Sequence, residues 1–242
     1  MRVAIFGDIH GNLPALTAAL SDLRAQAPDA LVCLGDVAMD GPWPGECVDR
    51  VAALGCPVVR GNADRMMLEP PAAFRARGFP DEQALHDISE WSKTQLSTAQ
   101  RALVAAYAPL VSLPDLLCFH GSPARDNEEL GPATPLARWT TLRHAYGAQA
   151  VWAGGHTHRA GHLPQVDWGY FNPGSVGLPF EQRGERFVNL ARAEYLLLDW
   201  GPGGWQPTFR RVPYALHDLQ RGILASDMPH ARWLAAEWAC GT

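Results

Sequence analysis

Charge is scarce in this chain. Asp, Glu, Lys and Arg make up 19% of its 242 residues, against about 25% in an average globular protein. The net charge is −5 and no run of lysines and arginines could follow a phosphate backbone or an anionic lipid surface, which argues against stable nucleic-acid or membrane binding. No apolar run approaches the ~18 residues of a membrane-spanning helix. The four apolar residues that follow Met1-Arg2 are too few for the core of a secretory signal. The five cysteines (Cys33, Cys47, Cys56, Cys118, Cys240) are odd in number and form no CxxC pair, so neither a disulfide framework nor a thiolate zinc site is indicated. A reducing, cytoplasmic location is expected. Repeats and linkers are also missing, and a hydrophobic content of 47% is ample for one buried core, so a single domain over 1–242 is expected.

What the chain does have is a series of short apolar runs ending in polar residues. Val3-Ala4-Ile5-Phe6 runs into Gly7-Asp8, and Leu13, Leu16, Leu20 and Leu23 then keep to one helical face. Leu31-Val32-Cys33-Leu34 ends in Gly35-Asp36, and Pro57-Val58-Val59-Arg60 ends in Gly61-Asn62, which completes a βαβαβ pattern. Leu85, Ile88, Trp91, Leu96, Leu103 and Val104 predict a mainly helical insert over 64–110. Strands are predicted at 116–119 and 150–153 with a helix over 136–146 between them, then at 195–198 and 208–210, before a mainly helical segment over 214–239. Continuous apolar strands alternating with helices predict an α/β fold whose central strands are covered on both faces.

The strand ends carry the chemistry. In order they present Asp8 and His10, Asp36, Asn62, His120, and His156 and His158. The carboxyl ends of strands form the functional edge of an open α/β sheet, so residues distant in sequence can converge there. Imidazoles, carboxylates and an amide without thiolate suit Mn²⁺, Fe, Zn²⁺ or Co²⁺. Seven ligands are too many for one ion. With Asp36 bridging, two ions about 3.5–4 Å apart could share them and lower the pKa of a bridging water toward ~7.

The motifs GDIHGN, GDVAMDG, VVRGNAD, FHGSP, GGHTHRA and NPGSVG, together spanning positions 7–177, resemble those of the calcineurin-like metallophosphoesterase superfamily and its small bacterial phosphodiesterase-like branch. The stretch ERFVNLARAEYLLLD looks like the closing strands of such proteins. The resemblance implies a four-layer αββα sandwich and a small phosphoester substrate. It implies two divalent ions (Mn²⁺, Fe, Zn²⁺, Ni²⁺ or Co²⁺, with Mn²⁺ favoured) and in-line attack of a bridging hydroxide at phosphorus. Carried over by position, Asp8, His10 and His158 would hold one ion, Asn62, His120 and His156 the other, and Asp36 both, with Asp36, Asn62 and His120 acting in catalysis. The chain departs from the family at Ala63, where protein phosphatases and nucleases have a His that assists the leaving group and small phosphodiesterases often have Cys. Without that acid, worth about 10²–10⁴-fold, esters with low-pKa leaving groups are favoured, and diesters among them. The alternatives are a phosphomonoesterase acting on a small metabolite or nucleotide, and a non-catalytic metal-containing binding module. The GDYVDRG element of protein Ser/Thr phosphatases is absent.

Other residues have two readings each. Asn12 could bond a phosphate oxygen or cap the helix at Leu13. Arg159 could clamp phosphate or stay solvated. His86 could reach the site from the insert or lie on a helix surface. Trp43, Trp152, Tyr170 and Phe180 could stack a nucleobase or fill the core. His144 and His162 read as structural, Asn172 and Ser175 as turn residues, and Asp126-Asn127-Glu128-Glu129 as a solvated loop near the entrance. Exposed apolar area on the insert would point to a homo-oligomer.

Overall fold

In the first strand, β1 (Arg2–Phe6), Val3 and Ile5 face one way and Ala4 and Phe6 the other, and all four are fully buried, so the strand has a core on each side. This is a computed structural model that describes residues 1–78, 80–147, 149–164, 168–184, 186–202 and 204–241. Strand β1 pairs in parallel with β2 (Ala30–Cys33) and antiparallel with β9 (Arg186–Gly201), whose far edge carries β10 (Gly204–Pro213). Two short strands, β8 (Phe180–Arg183) and β11 (Trp238–Cys240), also pair with β9. A second sheet runs β3 (Val111–Leu113), β4 (Leu116–Cys118), β5 (Val151–Ala153), β7 (Gly169–Asn172), β6 (Gly161–Pro164), with its three central strands parallel and its edges antiparallel.

The two sheets face each other across Val3, Ile5, Val32 and Leu34 on one side and Leu116, Cys118, Val151, Ala153 and Phe171 on the other. Outside the first sheet, α1 (Leu13–Gln26), α2 (Pro44–Ala52) and α3 (Asn62–Leu68) cover Ala4, Phe6, Cys33, Tyr195 and Leu197. Outside the second, Trp139 and Leu142 of α6 (Leu136–Tyr146) cover Leu117, Phe119, Trp152 and Tyr170. The order of layers is α, β, β, α, the expected sandwich. Each fully buried Leu or Phe in it is worth about 1.5–3 kcal/mol.

Along the chain, α4 (Glu82–Lys93) and α5 (Thr98–Ala105) come between α3 and β3. Ile88 of α4 packs with Leu219 and Ile223 of α7 (Leu216–Ala225) and Leu234 of α8 (Ala231–Ala236). Two polar links join the same elements, His230 to Asp87 at 2.8 Å and Trp91 to Asp227 at 3.0 Å.

One expectation needs correction and two are refined. The run at 57–60 is not a full strand; it forms isolated parallel bridges, Cys33 with Val58 and Val59 with Ala108, because Pro57 offers no N–H and the chain turns away within three residues. The stretch over 214–239 is mainly helical, as α7 (Leu216–Ala225) and α8 (Ala231–Ala236), with its last residues forming β11 against β9. The strand expected at 195–198 is the middle of a 16-residue strand. All five cysteines are free, and no described helix is long and apolar enough to cross a membrane.

Candidate metal centre

Five residues at the strand ends adopt left-handed backbone: Asp8 (φ 51°), His10 (φ 48°), Asp36 (φ 51°), His156 (φ 68°) and His158 (φ 55°). Asp and His tolerate this region better than most side chains, and it folds the chain back immediately after each strand. The loops after β1 and β2 are zipped together: Asp8 N donates to Gly35 O at 2.8 Å, Ile9 N and His10 N both donate to Asp36 O at 2.9 Å, and Gly11 N donates to Val37 O at 3.0 Å. The side chains are thereby aimed into one crevice.

Two clusters result, Asp8 with His10 and His158, and Asp36 with His120 and His156, each with its ligand atoms within 4.8 Å of one another. Asp36 Oδ2 lies 3.1 Å from His120 Nε2 and 3.7 Å from His10 Nε2, so it faces both clusters. Asp8 Oδ1 is 3.3 Å from His158 Nε2 and 3.8 Å from His120 Nε2. Asn62 joins the second cluster, its Oδ1 3.1 Å from His120 Nε2.

The ring tautomers test whether a cation fits. Nδ1 of His10 faces Met39 O at 3.2 Å, Nδ1 of His120 faces Leu34 O at 2.7 Å, and Nδ1 of His158 faces Leu178 O at 3.0 Å. A carbonyl only accepts, so Nδ1 carries the proton and each neutral ring turns an unprotonated Nε2 inward. Nε2 of His10 and Nε2 of His158 then oppose each other at 3.2 Å with no hydrogen between them. Two neutral rings so placed repel unless a proton or a metal ion lies between their nitrogens, and the surrounding donors are those that bind a divalent ion.

The model of the calcineurin-like phosphoesterase superfamily domain matches residues 1–194. The chain belongs to the calcineurin-like phosphoesterase superfamily. It is similar over 98% of its length to a crystal structure of a metallophosphoesterase from Sphaerobacter thermophilus, which is 27% identical and covered over 99% of its own chain, with a TM-score of 0.74. A hypothetical protein from Pyrococcus horikoshii OT3 shares the fold at 19% identity and a TM-score of 0.76, with 94% of each chain covered. A 62-residue segment is 42% identical to an uncharacterized protein of Methanocaldococcus jannaschii, and this match spans 26% of either chain. Membership supports a phosphoric ester hydrolase and implies divalent metal ions.

In a phosphoesterase without its ions, protons take their place. Burial disfavours a charged His10, but its hydrogen bond to Asp40 and the charges of Asp36, Asp40 and Asp8 outweigh that and lift its pKa to about 9. Burial likewise opposes a charged His120, and Asp36 and Asp8 raise it to about 10. For Asp36 burial pulls the other way, yet His120, His10 and the Ala63 N–H hold the carboxyl well below its ordinary range. Raised histidines keep their protons until the pH passes the folded-state pKa, so a metal must expel them. Adding Mn²⁺ to metal-free protein at pH 7.5 should therefore release about two protons, and apparent affinity should climb with pH up to about 10, where His120 as well as His10 has lost its proton. Calorimetry in buffers of different ionisation enthalpy measures this; binding without proton release would mean that the rings are already neutral.

Several further residues shape the site. Asp64 is completely buried and accepts from Asp36 N at 2.7 Å, Val37 N at 2.9 Å and Gly61 N at 2.9 Å, clasping the two metal loops together. Burial and the charge of Asp36 push its carboxyl up to about 6 against those donors. An acid at the third position of a helix following Gly-Asn was the available signal. Ser175 donates to Asp8 O at 2.7 Å, and Asn172 donates to Gly155 O at 2.8 Å while accepting from Gly174 N, so both brace ligand loops as well as serving a turn. Asp40 Oδ2 is 3.4 Å from His10 Nδ1, and Asp40 is held in turn by Ser89 and Ser92 of α4.

Among the expected substrate contacts, Asn12 is spent within the fold. Its Oδ1 caps α1 through Ala15 N, and its amide donates to Gly177 O and to the Tyr214 hydroxyl. His86 lies on α4 with its ring edge-on to Phe74 at 5.5 Å and belongs to neither cluster. Arg159 is exposed and lies over the Phe180 ring at 5.3 Å, beside His158. Trp152 and Tyr170 are buried under α6, and Trp43 packs against α7, as core residues. His162 stacks on Phe171, and His144 is exposed on α6. The acidic loop is paired rather than merely solvated, Asp126 with Arg65 at 2.7 Å and Glu128 with Arg138 at 2.6 Å.

Two clefts adjoin the clusters. One of about 810 Å³ runs along residues 156–163 with Arg159, Leu163 and Phe180 in its wall. The other, of about 420 Å³, lies between the 60–65 turn and the 122–127 loop and reaches His120.

Proposed function

We propose that this protein is a two-metal phosphodiesterase acting on a small phosphoester. The observation that carries the reading is that the clefts share no lining residue and meet the candidate ligands from different loops, one at His156 and His158 and the other at His120. A diester has a substituent for each cleft, whereas a monoester would use one. Bound divalent ions supply Lewis acidity to the phosphoryl oxygens and bring the pKa of water toward ~7.

The protein's own part is placement. The Ala63 N–H bonds Asp36 Oδ1 at 2.8 Å and fixes the carboxylate that faces both clusters. Position 63 offers only a buried methyl, so no side chain there can protonate the departing oxygen. Acidic leaving groups follow, since they depart without a general acid.

The test is the initial rate on bis(p-nitrophenyl) phosphate beside p-nitrophenyl phosphate, with Mn²⁺ and chelator controlled. The diester should show a kcat/KM at least about tenfold higher, lost with chelator and restored by Mn²⁺. A faster monoester would overturn the diester assignment, and turnover of neither by metal-loaded protein would make this a binding module.

A further inference from the structure

The smaller cleft has a charge opposite to that of the chain as a whole. In a protein of net charge −5, it is lined by Arg60, Arg65 and Arg125 against one carboxylate, Asp126. Arg65 is already committed, to Asp126 at 2.7 Å and to Glu69 at 2.6 Å. Arg60 and Arg125 are not: among the described residues, neither guanidinium forms an ion pair or donates a hydrogen bond. Arg125 does feel the charge of Glu128, but that carboxylate is held by Nε and Nη2 of Arg138, at 2.6 and 2.7 Å, and by the Ser122 hydroxyl. Two uncommitted guanidinium groups in a concave space beside His120 form a receptor for a phosphoryl group, whose oxygens match the planar fork.

Position 63 bears on the same point independently. An alkoxide leaving group needs a proton and Ala63 supplies none, but a phosphoryl leaving group is a weak base and needs none.

We infer that the Arg60–Arg125 cleft binds a phosphoryl group joined to the scissile phosphorus, so that the substrate is a pyrophosphate diester and the leaving group is itself a phosphate ester. This rests on the phosphodiesterase reading and narrows it. Water oxygen bonds to the scissile phosphorus and the bridging P–O bond breaks, its electron pair staying on the departing phosphate. The water's protons pass to solvent, and Arg60 and Arg125 face the new charge. The organic part attached to the scissile phosphorus lies in the larger cleft, along Leu163 and Phe180.

The probes are adenosine 5′-phosphate and adenosine 5′-diphosphate, titrated calorimetrically into metal-loaded protein at fixed free Mn²⁺. The diphosphate should bind at least about tenfold more tightly, because its second phosphoryl gains charge-assisted bonds. Arg60→Ala and the charge-reversed Arg125→Glu, each checked for an unchanged melting curve, should shrink that ratio to about twofold or less. A wild-type ratio near one, or a ratio untouched in both variants, would overturn the inference. Turnover of P1,P2-di(adenosine-5′) pyrophosphate, followed in parallel, separates the two readings. An arginine-dependent binding ratio without hydrolysis of any ester sinks the enzyme assignment and leaves the subsite. Hydrolysis of aryl diesters with an arginine-independent ratio sinks the subsite alone.

Discussion

Replacing Asp36 by Asn is expected to lower kcat by about 10³-fold and to leave the protein with fewer bound metal ions while it remains folded. The side chain is almost fully buried, and its Oδ2 faces His120 Nε2 at 3.1 Å and His10 Nε2 at 3.7 Å. Asparagine has the same shape and can still accept from Ala63 N–H. It carries no charge, and whichever way its amide turns, an N–H₂ replaces one carboxylate oxygen. Metal catalysis of this kind rests on several kcal/mol of charge stabilisation, and each 1.36 kcal/mol is tenfold in rate, so three decades is about the expected loss. Steady-state rates with metal content measured on the same preparation decide the matter. Wild-type turnover with full metal would remove Asp36 from the bridging position.

The second large effect is expected from a single added methyl. A Cβ on Gly61 would lie 2.0 Å from Asp36 Oδ1 and 2.8 Å from both Asp36 Cγ and Asp36 N. The backbone there is ordinary extended structure, φ −84° and ψ 174°, so alanine is not disfavoured by its dihedrals and the whole cost is the collision. The carboxylate must swing away, losing the Ala63 hydrogen bond and its place between the clusters. Gly61→Ala should cost about 1–3 kcal/mol of stability, as overpacking does. At about 2–4 °C per kcal/mol for a chain of this size, thermal melting would register that, and activity should fall at least about 10²-fold. Gly201→Ala is the control, because its added Cβ meets nothing within 4 Å, its φ is not positive and it lines neither cleft. A Gly61→Ala protein with normal melting and rate would show that Asp36 tolerates displacement.

Much of the framework was legible because it is periodic. β1, β2, α1 and the exact span of α6 follow from apolar runs and helical spacing. The convergence of Asp8, His10, Asp36, Asn62, His120, His156 and His158 followed from the rule that strand ends share an edge. The short strands β3, β6 and β8 were not legible: they have three or four residues, mix polar with apolar, and owe their pairing to neighbours brought in from elsewhere. Asp64 was hidden for another reason. A lone acid in a turn reads as solvated, and only the fold shows that three backbone N–H groups enclose it. The cationic cleft was hidden by distance along the chain, since Arg60 and Arg65 are some sixty residues from Arg125 and no stretch of sequence is basic.

The left-handed backbone at Asp8, His10, Asp36, His156 and His158 sets this site against the stability of its own scaffold. Each such residue costs roughly 1 kcal/mol that glycine would not. Drift toward a more stable chain would thus replace these side chains with glycine first and erase the site one ligand at a time. Five of them together in one crevice are a backbone cost that strand packing alone does not require. For the protein engineer, exchanging these residues for glycine would relieve the backbone and dismantle the centre at once.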